Sequence, residues 1–189
     1  MKLIFAQGNP GPEYINSRHN VGFLVLDNLA TELGSKWINR PKFHAITTEV
    51  TINNEKMLLI KPTSFYNETG ISARKLIDFY KLDSANNLLV IHDDLALPFG
   101  TIRVREQGSD AGNKGVKSIN RHIDQNYARI KIGVHSELRD KMNDADFVLG
   151  KFKINELRQL EKTIIPQVIE LIKKFHDGNL ESTSYKTLE

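Results

Sequence analysis

Near its amino terminus the chain runs Leu3-Ile4-Phe5-Ala6-Gln7-Gly8-Asn9-Pro10-Gly11-Pro12-Glu13-Tyr14 and continues through Ser17-Arg18-His19-Asn20. A short apolar run, a turn-rich polar loop and an amphipathic segment from Val21 follow one another, which predicts strand, loop and helix. In open α/β sheets the loop at a strand's carboxyl end is where ligands sit. This loop carries an amide (Asn9), a phenol (Tyr14), a guanidinium (Arg18) and an imidazole (His19). Pro10 and Pro12 fix φ while Gly11 permits positive φ, so the backbone holding those groups is stiff.

The same alternation repeats along the chain. Gly22, Leu26, Leu29, Ala30 and Leu33 share one helical face, and Gly34 suits its end. Residues 44–52 alternate, with Ile46, Thr48, Val50 and Ile52 on one side, and predict a half-buried strand. Asn53-Asn54 would turn it back into Met57-Leu58-Leu59-Ile60 as a hairpin. Trp37, ahead of that hairpin, reads as packing. Lys61-Pro62-Thr63-Ser64-Phe65-Tyr66-Asn67-Glu68-Thr69-Gly70 is a second polar loop after a strand, followed by a helix through Ala73, Leu76, Ile77 and Tyr80.

Leu88-Leu89-Val90-Ile91 is a continuous apolar run, the mark of a strand buried on both faces, and it ends in His92-Asp93-Asp94. Ile102 and Val104 alternate with arginines. Gly108-Ser109-Asp110-Ala111-Gly112-Asn113-Lys114-Gly115 then leads into a helix expected from about Val116 to Ile123, and Arg129 to Val134 form another strand. The glycine loop lacks the spacing of either common nucleotide-phosphate motif. A final helical stretch buries Leu157, Leu160, Ile164, Val168, Leu171 and Phe175, with Pro166 expected to kink or restart it. Residues from about 178 to 189 read as a frayed tail. The expectation is one α/β domain spanning 1–189, with a twisted, mixed, mostly parallel sheet flanked by helices.

With 189 residues, 40% of them hydrophobic, the chain can bury a sizeable core. No apolar stretch is long enough to span a membrane, and the apolar start is too short for a signal peptide. The absence of cysteine excludes disulfides and thiolate chemistry and suits a reducing cytoplasm. Residues 101–131 hold seven basic side chains (Arg103, Arg105, Lys114, Lys117, Arg121, Arg129, Lys131) against three acidic ones, more than the whole chain's net +3. A polyanionic partner or a solvated basic face would account for this.

Three loops at strand ends thus offer His19, Asp93, Asn9 and Asn67. A histidine oriented by a buried carboxylate is a general base of fixed tautomer. Ser17 and Ser64 lack the context of a nucleophile elbow. The economical reading is that His19 activates water while asparagine side chains donate to a tetrahedral oxyanion, as in ester or amide hydrolysis.

The spaced groups Gly8-Asn9-Pro10-Gly11, Tyr14, Arg18-His19-Asn20 and Gly22; Lys61-Pro62, Phe65, Asn67 and Gly70; His92-Asp93-Asp94-Leu95, Leu97-Pro98 and Gly100; and Phe147-Val148-Leu149-Gly150-Lys151-Phe152 together resemble bacterial peptidyl-tRNA hydrolase. The resemblance implies cleavage of the ester joining a peptide to the 3′ ribose of tRNA, without metal or cofactor, by a protein that is usually monomeric. It implies that His19 takes a proton from water, that Asp93 orients the imidazole, and that Asn9 senses the acylated amino group. Asn67 would position the ester or the peptide backbone, with Tyr14 and Phe65 lining the groove near the RNA end. By position, Arg105 and Lys131 correspond to the pair that holds the tRNA 5′-phosphate.

One departure concerns the glycine loop, where the family's asparagine position holds Lys114 and an asparagine, Asn113, precedes it. Either Asn113 substitutes from next door or the Lys114 ammonium becomes the donor. Two other classes stay open: a binding module of the same fold that engages RNA without turnover, and a metallohydrolase built on His19, His92, Asp93 and Asp94.

Overall fold

The computed structural model describes residues 1–53 and 55–188. Among these, eight strands form one sheet: β1 (Lys2–Ala6), β2 (Ile38–Arg40), β3 (Ala45–Ile52), β4 (Glu55–Pro62), β5 (Leu88–Pro98), β6 (Thr101–Arg105), β7 (Ala128–His135) and β8 (Ser184–Lys186). The helices are α1 (Val21–Glu32), α2 (Gly70–Tyr80), the single turn α3 (Ser84–Asn87), α4 (Lys114–His122), α5 (Asp144–Leu149), α6 (Ile154–Gln159) and α7 (Ile165–His176).

The strand order is β2-β3-β4-β1-β5-β7-β6-β8. β4, β1, β5 and β7 run parallel, whereas the pairings outside them are antiparallel. The expected parallel character is therefore confined to the centre of the sheet. β1 lies between β4 and β5, so the strand order reverses there: from β1 the chain moves out to β2, β3 and β4 on one side, then crosses from β4 to β5 on the other. That reversal opens a crevice at the carboxyl ends of the three strands.

Burial on both faces explains the apolar runs. In β1, Ile4 and Ala6 join a cluster under α1 and α7, while Leu3 and Phe5 join a second cluster under α2. Leu89 and Ile91 of β5 face the first cluster, and Leu88 and Val90 face the second. Each such Leu or Ile contributes roughly 1.5–3 kcal/mol by leaving water. α1 lies close to the sheet because Gly22 has no side chain; a Cβ there would come 2.8 Å from the carbonyl oxygen of Ile91 and 2.9 Å from that of Gln7.

Two sequence expectations need correction, and one edge strand was not anticipated. The tail is not wholly frayed: Ser184–Lys186 pairs with β6, and Thr187 donates to the carbonyl of Gly100 at 2.8 Å. Edge strand β2 is too short to show a pattern and is set by its register with β3. α4 begins at Lys114 rather than near Val116, because Asn113 caps it by accepting from the Val116 N–H at 3.0 Å. Pro166 restarts the last helical stretch, as expected: a π-turn over Leu160–Ile164 precedes it and places it in the first turn of α7, where no N–H is required. The expected turn at Asn53-Asn54 includes Asn54, which lies outside the described residues. Trp37 packs against the core as expected, with the Lys61 ammonium 4.2 Å from its ring centroid. No helix among the described residues is long and apolar enough to cross a membrane.

Candidate active site

The crevice is lined by the loops after β1 and β4 and by the carboxyl-terminal half of β5. The first loop is pinned from both ends. Asn20 Oδ1 accepts from the Asn9 N–H at 2.8 Å, and Asn20 Nδ2 donates to the Asn9 carbonyl at 2.9 Å. Arg18, 1% exposed, turns inward and donates to the carbonyls of Gly150 (3.2 Å) and Lys151 (2.9 Å) and to Glu156 (3.1 Å). Its guanidinium lies 4.5 Å from the ring centroid of Phe147 and 5.3 Å from that of Phe152. The Phe147–Phe152 motif therefore serves as an anchor for the loop that carries His19. Arg18 is structural, not a ligand group as its place in the loop suggested.

His19 occupies the short turn just before α1, with its side chain 18% exposed. Its Nδ1 lies 2.8 Å from Oδ2 of Asp93, which is 1% exposed. A carboxylate there accepts, so Nδ1 carries the hydrogen and Nε2 keeps the lone pair. Burial alone would raise the Asp93 carboxyl, but electrostatic attraction to the His19 ring and the hydrogen bonds from His19 and Tyr66 hold it below the usual carboxylate range. Asp93 is thus an anion aimed at an imidazole.

Asn9 and Asn67 come from facing loops. Asn9, 6% exposed, accepts the Tyr66 N–H at 2.8 Å through Oδ1, which leaves Nδ2 as its donor. Asn67 sits in the turn Tyr66–Glu68 with its side chain exposed, and Phe65 beside it is 58% exposed. Tyr14, half-buried, closes the turn Pro12–Tyr14 on the other side of the first loop.

The geometry separates the two glycine-loop alternatives. The Asn113 side chain turns into the site, where Nδ2 donates to the Tyr66 hydroxyl oxygen at 3.0 Å and to the Asp93 carbonyl at 3.3 Å. Lys114 is exposed and lines a shallow groove with Asn67, Lys117 and Arg121. Tyr66 is the residue that sequence reasoning passed over. It is 2% exposed, donates to Asp93 Oδ1 at 2.6 Å, and stacks on His19 with ring centroids 3.7 Å apart and planes 3° from parallel. Between two motif positions, an aromatic residue shows no periodicity or spacing that would mark it.

The basic segment divides into different tasks. Cross-strand register pairs Arg103 with Lys131 and Arg105 with Arg129, so all four leave the sheet on the α2/α4 side, away from the α1/α7 cluster that holds Ile102, Val104, Ile130 and Ile132. Arg129 is buried and donates to the carbonyls of Gly108 and Ser109, shaping the glycine loop. Lys131 is bonded to Asp94 at 3.3 Å, with their side chains 13% and 14% exposed. Arg105 is half-buried, and one guanidinium nitrogen donates to the Val104 carbonyl at 2.7 Å.

The four residues of the metallohydrolase alternative are not gathered. His92 is buried on the strand face opposite Asp93, its Nδ1 2.7 Å from the Asp93 carbonyl, and burial pushes its imidazole down to about 4. Asp94 is engaged by Lys131. Among the described residues no group of three or more His, Asp or Glu side chains is placed to hold a metal ion.

Known proteins are similar to this chain in sequence and in fold. The sequence profile of the family described as Peptidyl-tRNA hydrolase matches residues 3–188. The peptidyl-tRNA hydrolase of Fusobacterium nucleatum is 38% identical over 189 residues, covering 100% of this chain and 93% of that protein. That of Clostridium beijerinckii is 44% identical over 165 residues, covering 87% of this chain and 84% of that protein. Among solved structures, peptidyl-tRNA hydrolase from Acinetobacter baumannii superposes with a TM-score of 0.84 at 32% identity, covering 94% of this chain and 89% of that one.

Proposed function

The chain belongs to the peptidyl-tRNA hydrolase family, and on that premise we propose that it cleaves peptidyl-tRNA by direct attack of a water activated by His19. The activity itself, hydrolysis of peptidyl-tRNA, comes with the family. The observation that carries the mechanism is the 2.8 Å contact between His19 Nδ1 and the buried Asp93 carboxylate.

With Nδ1–H held by Asp93, Nε2 of His19 takes a proton from water as the water oxygen bonds to the ester carbonyl carbon. The imidazolium so formed is stabilised by the adjacent anion. The tetrahedral intermediate collapses by breaking the bond to the ribose 3′ oxygen, and the imidazolium returns its proton to that oxygen. Free tRNA and the peptide's carboxylic acid result, and the acid gives its proton to solvent. Asn67, exposed beside His19's stacking partner, positions the ester or the peptide backbone. The remaining donor of Asn9 reads the acylated amino group, which separates peptidyl-tRNA from aminoacyl-tRNA. Asn113 takes the glycine-loop asparagine's part from the preceding position, and Lys114 contributes charge for RNA. Tyr14 and Phe65 line the groove for the acceptor end.

Arg105 and Lys131 bind the 5′-phosphate, with Lys131 exchanging Asp94 for the phosphate. No metal or cofactor takes part, and the protein acts as a cytoplasmic monomer. The test replaces His19 by Asn and measures turnover of N-acetyl-aminoacyl-tRNA alongside tRNA binding. Loss of a general base should cut kcat by roughly 10²- to 10⁴-fold while binding is retained. Undiminished turnover would contradict the assignment. Tight tRNA binding by the wild type without any turnover would make the chain a binding module instead.

A further inference from the structure

We infer that Tyr66 is a positioning residue for the hydrolysis: its hydroxyl, oriented by Asn113, fixes the Asp93 carboxylate, while its ring fixes the plane of the His19 imidazole. This rests on the His19–Asp93 reading above and adds to it the group that makes that pair rigid.

The hydrogen-bond directions leave little freedom. Asn113 Oδ1 accepts from the Val116 N–H at 3.0 Å, so Nδ2 must be the group 3.0 Å from the Tyr66 hydroxyl oxygen. That oxygen accepts from Asn113, which turns its own hydrogen onto Asp93 Oδ1 at 2.6 Å. The second carboxylate oxygen, Oδ2, is then left for His19 Nδ1 at 2.8 Å. A chain of donors runs from the cap of α4 through a phenol to the carboxylate, with the imidazole approaching that carboxylate from its other oxygen.

The phenol is well suited to permanent donation. Burial, then the neighbouring Asp93 charge, push it well above its ordinary value of 10, so it stays protonated wherever the enzyme would work. The groups around the Asp93 carboxylate are His19 from the first loop, Tyr66 from the second, and His92 on its own strand, with the Lys131–Asp94 pair beyond.

The protein also makes room for this ring. Gly115, in the first turn of α4, lies so close that a Cβ would sit 2.4 Å from the ring carbon Cε1. The backbone N–H of Tyr66 meanwhile holds Asn9 Oδ1 at 2.8 Å, tying the residue to both sides of the crevice. Ring stacking alone needs only an aromatic side chain. The donor to Asp93 needs the hydroxyl, and that difference is what an experiment can separate.

Tyr66→Phe keeps the ring, the stack and the backbone bond to Asn9 and removes only the hydroxyl. With N-acetyl-aminoacyl-tRNA as substrate, kcat should fall about 3- to 10-fold with KM unchanged, as loss of one bond to a charged group displaces the base from its best orientation. On an Asp93→Ala background the same substitution should cost nothing further, since the hydroxyl acts through that carboxylate. A wild-type kcat in Tyr66→Phe, a change in KM alone, or a loss that multiplies with that of Asp93→Ala would each overturn the inference. His19→Ala and Asp93→Ala are measured in parallel. If those two keep turnover, the base assignment fails; if they lose it while Tyr66→Phe does not, only the role of Tyr66 fails.

Discussion

Asn113 bears two hydrogen-bonding tasks with one amide, and that makes it more consequential than its neighbour Lys114. It caps α4 through Oδ1 and donates to the Tyr66 hydroxyl oxygen through Nδ2. Asn113→Ala should lower stability by about 1 kcal/mol through the lost cap and reduce kcat as well. Lys114→Ala, on an exposed side chain, should leave both stability and kcat near wild type and raise KM. Denaturant midpoints and steady-state kinetics of the two variants would expose a reversed pattern. His92 shows a second effect of burial. Its imidazole is held near 4 in the fold against 6.5 when free, so between those values the unfolded chain binds the extra proton. The stability it contributes is complete above pH 6.5 and drains away as pH falls towards 4, on the order of 3 kcal/mol in all. Stability measured across that window should flatten in His92→Asn. An equal slope in both proteins would place the pH dependence elsewhere.

At the scale of elements, the site depends on a contact remote in sequence. Arg18, in the loop of His19, is held by Glu156 in α6 and by two carbonyls of the Phe147–Phe152 motif. Removing one partner of a buried ion pair costs about 3–5 kcal/mol, because the remaining charge is stranded. Glu156→Ala should therefore lower the unfolding free energy by that amount, and it should loosen the turn that carries His19. Hydrogen exchange of the amides of residues 16–20 would report the loosening; unchanged protection there would mean the anchor is redundant. This contact also marks a limit of sequence reading. Arg18 in a polar loop looks like a ligand group, and only partners more than 130 residues away reveal it as structural. The central strands, by contrast, were legible because burial on both faces requires an unbroken apolar run, as in Leu88 to Ile91. The edge strands β2 and β8 were not, since three residues each take their conformation from a neighbour's register rather than from any pattern of their own.

Across the whole molecule the basic excess is local, because residues 101–131 carry more than the net +3 of the chain. The half-buried arginines of β6 and the exposed basic groups of α4 lie on one side of the sheet, whereas the acidic groups in the groove between α1 and α7 include Asp27 and Glu170, which are paired with Lys61 and Lys173. Such a basic face orients a polyanion before contact and makes association sensitive to salt. Arg105→Ala should raise KM, leave kcat unchanged and reduce the dependence of log(kcat/KM) on log salt by a slope of about 1. An unaltered slope would remove Arg105 from the RNA interface. Part of the candidate site was legible at this scale, because His19, Asp93, Asn9 and Asn67 follow or end three strands that are neighbours in the sheet. Tyr66 was not, since its importance lies in the hydroxyl's direction and the room left by Gly115, which no spacing in the sequence encodes. The most direct measurement compares N-acetyl-aminoacyl-tRNA with the unblocked aminoacyl-tRNA, for wild type and His19→Ala, with a chelator present throughout. Release from the blocked substrate alone, abolished in the variant and indifferent to chelator, is the predicted result. Release that survives in His19→Ala, or that chelator abolishes in the wild type, would contradict a water-activating histidine acting without metal.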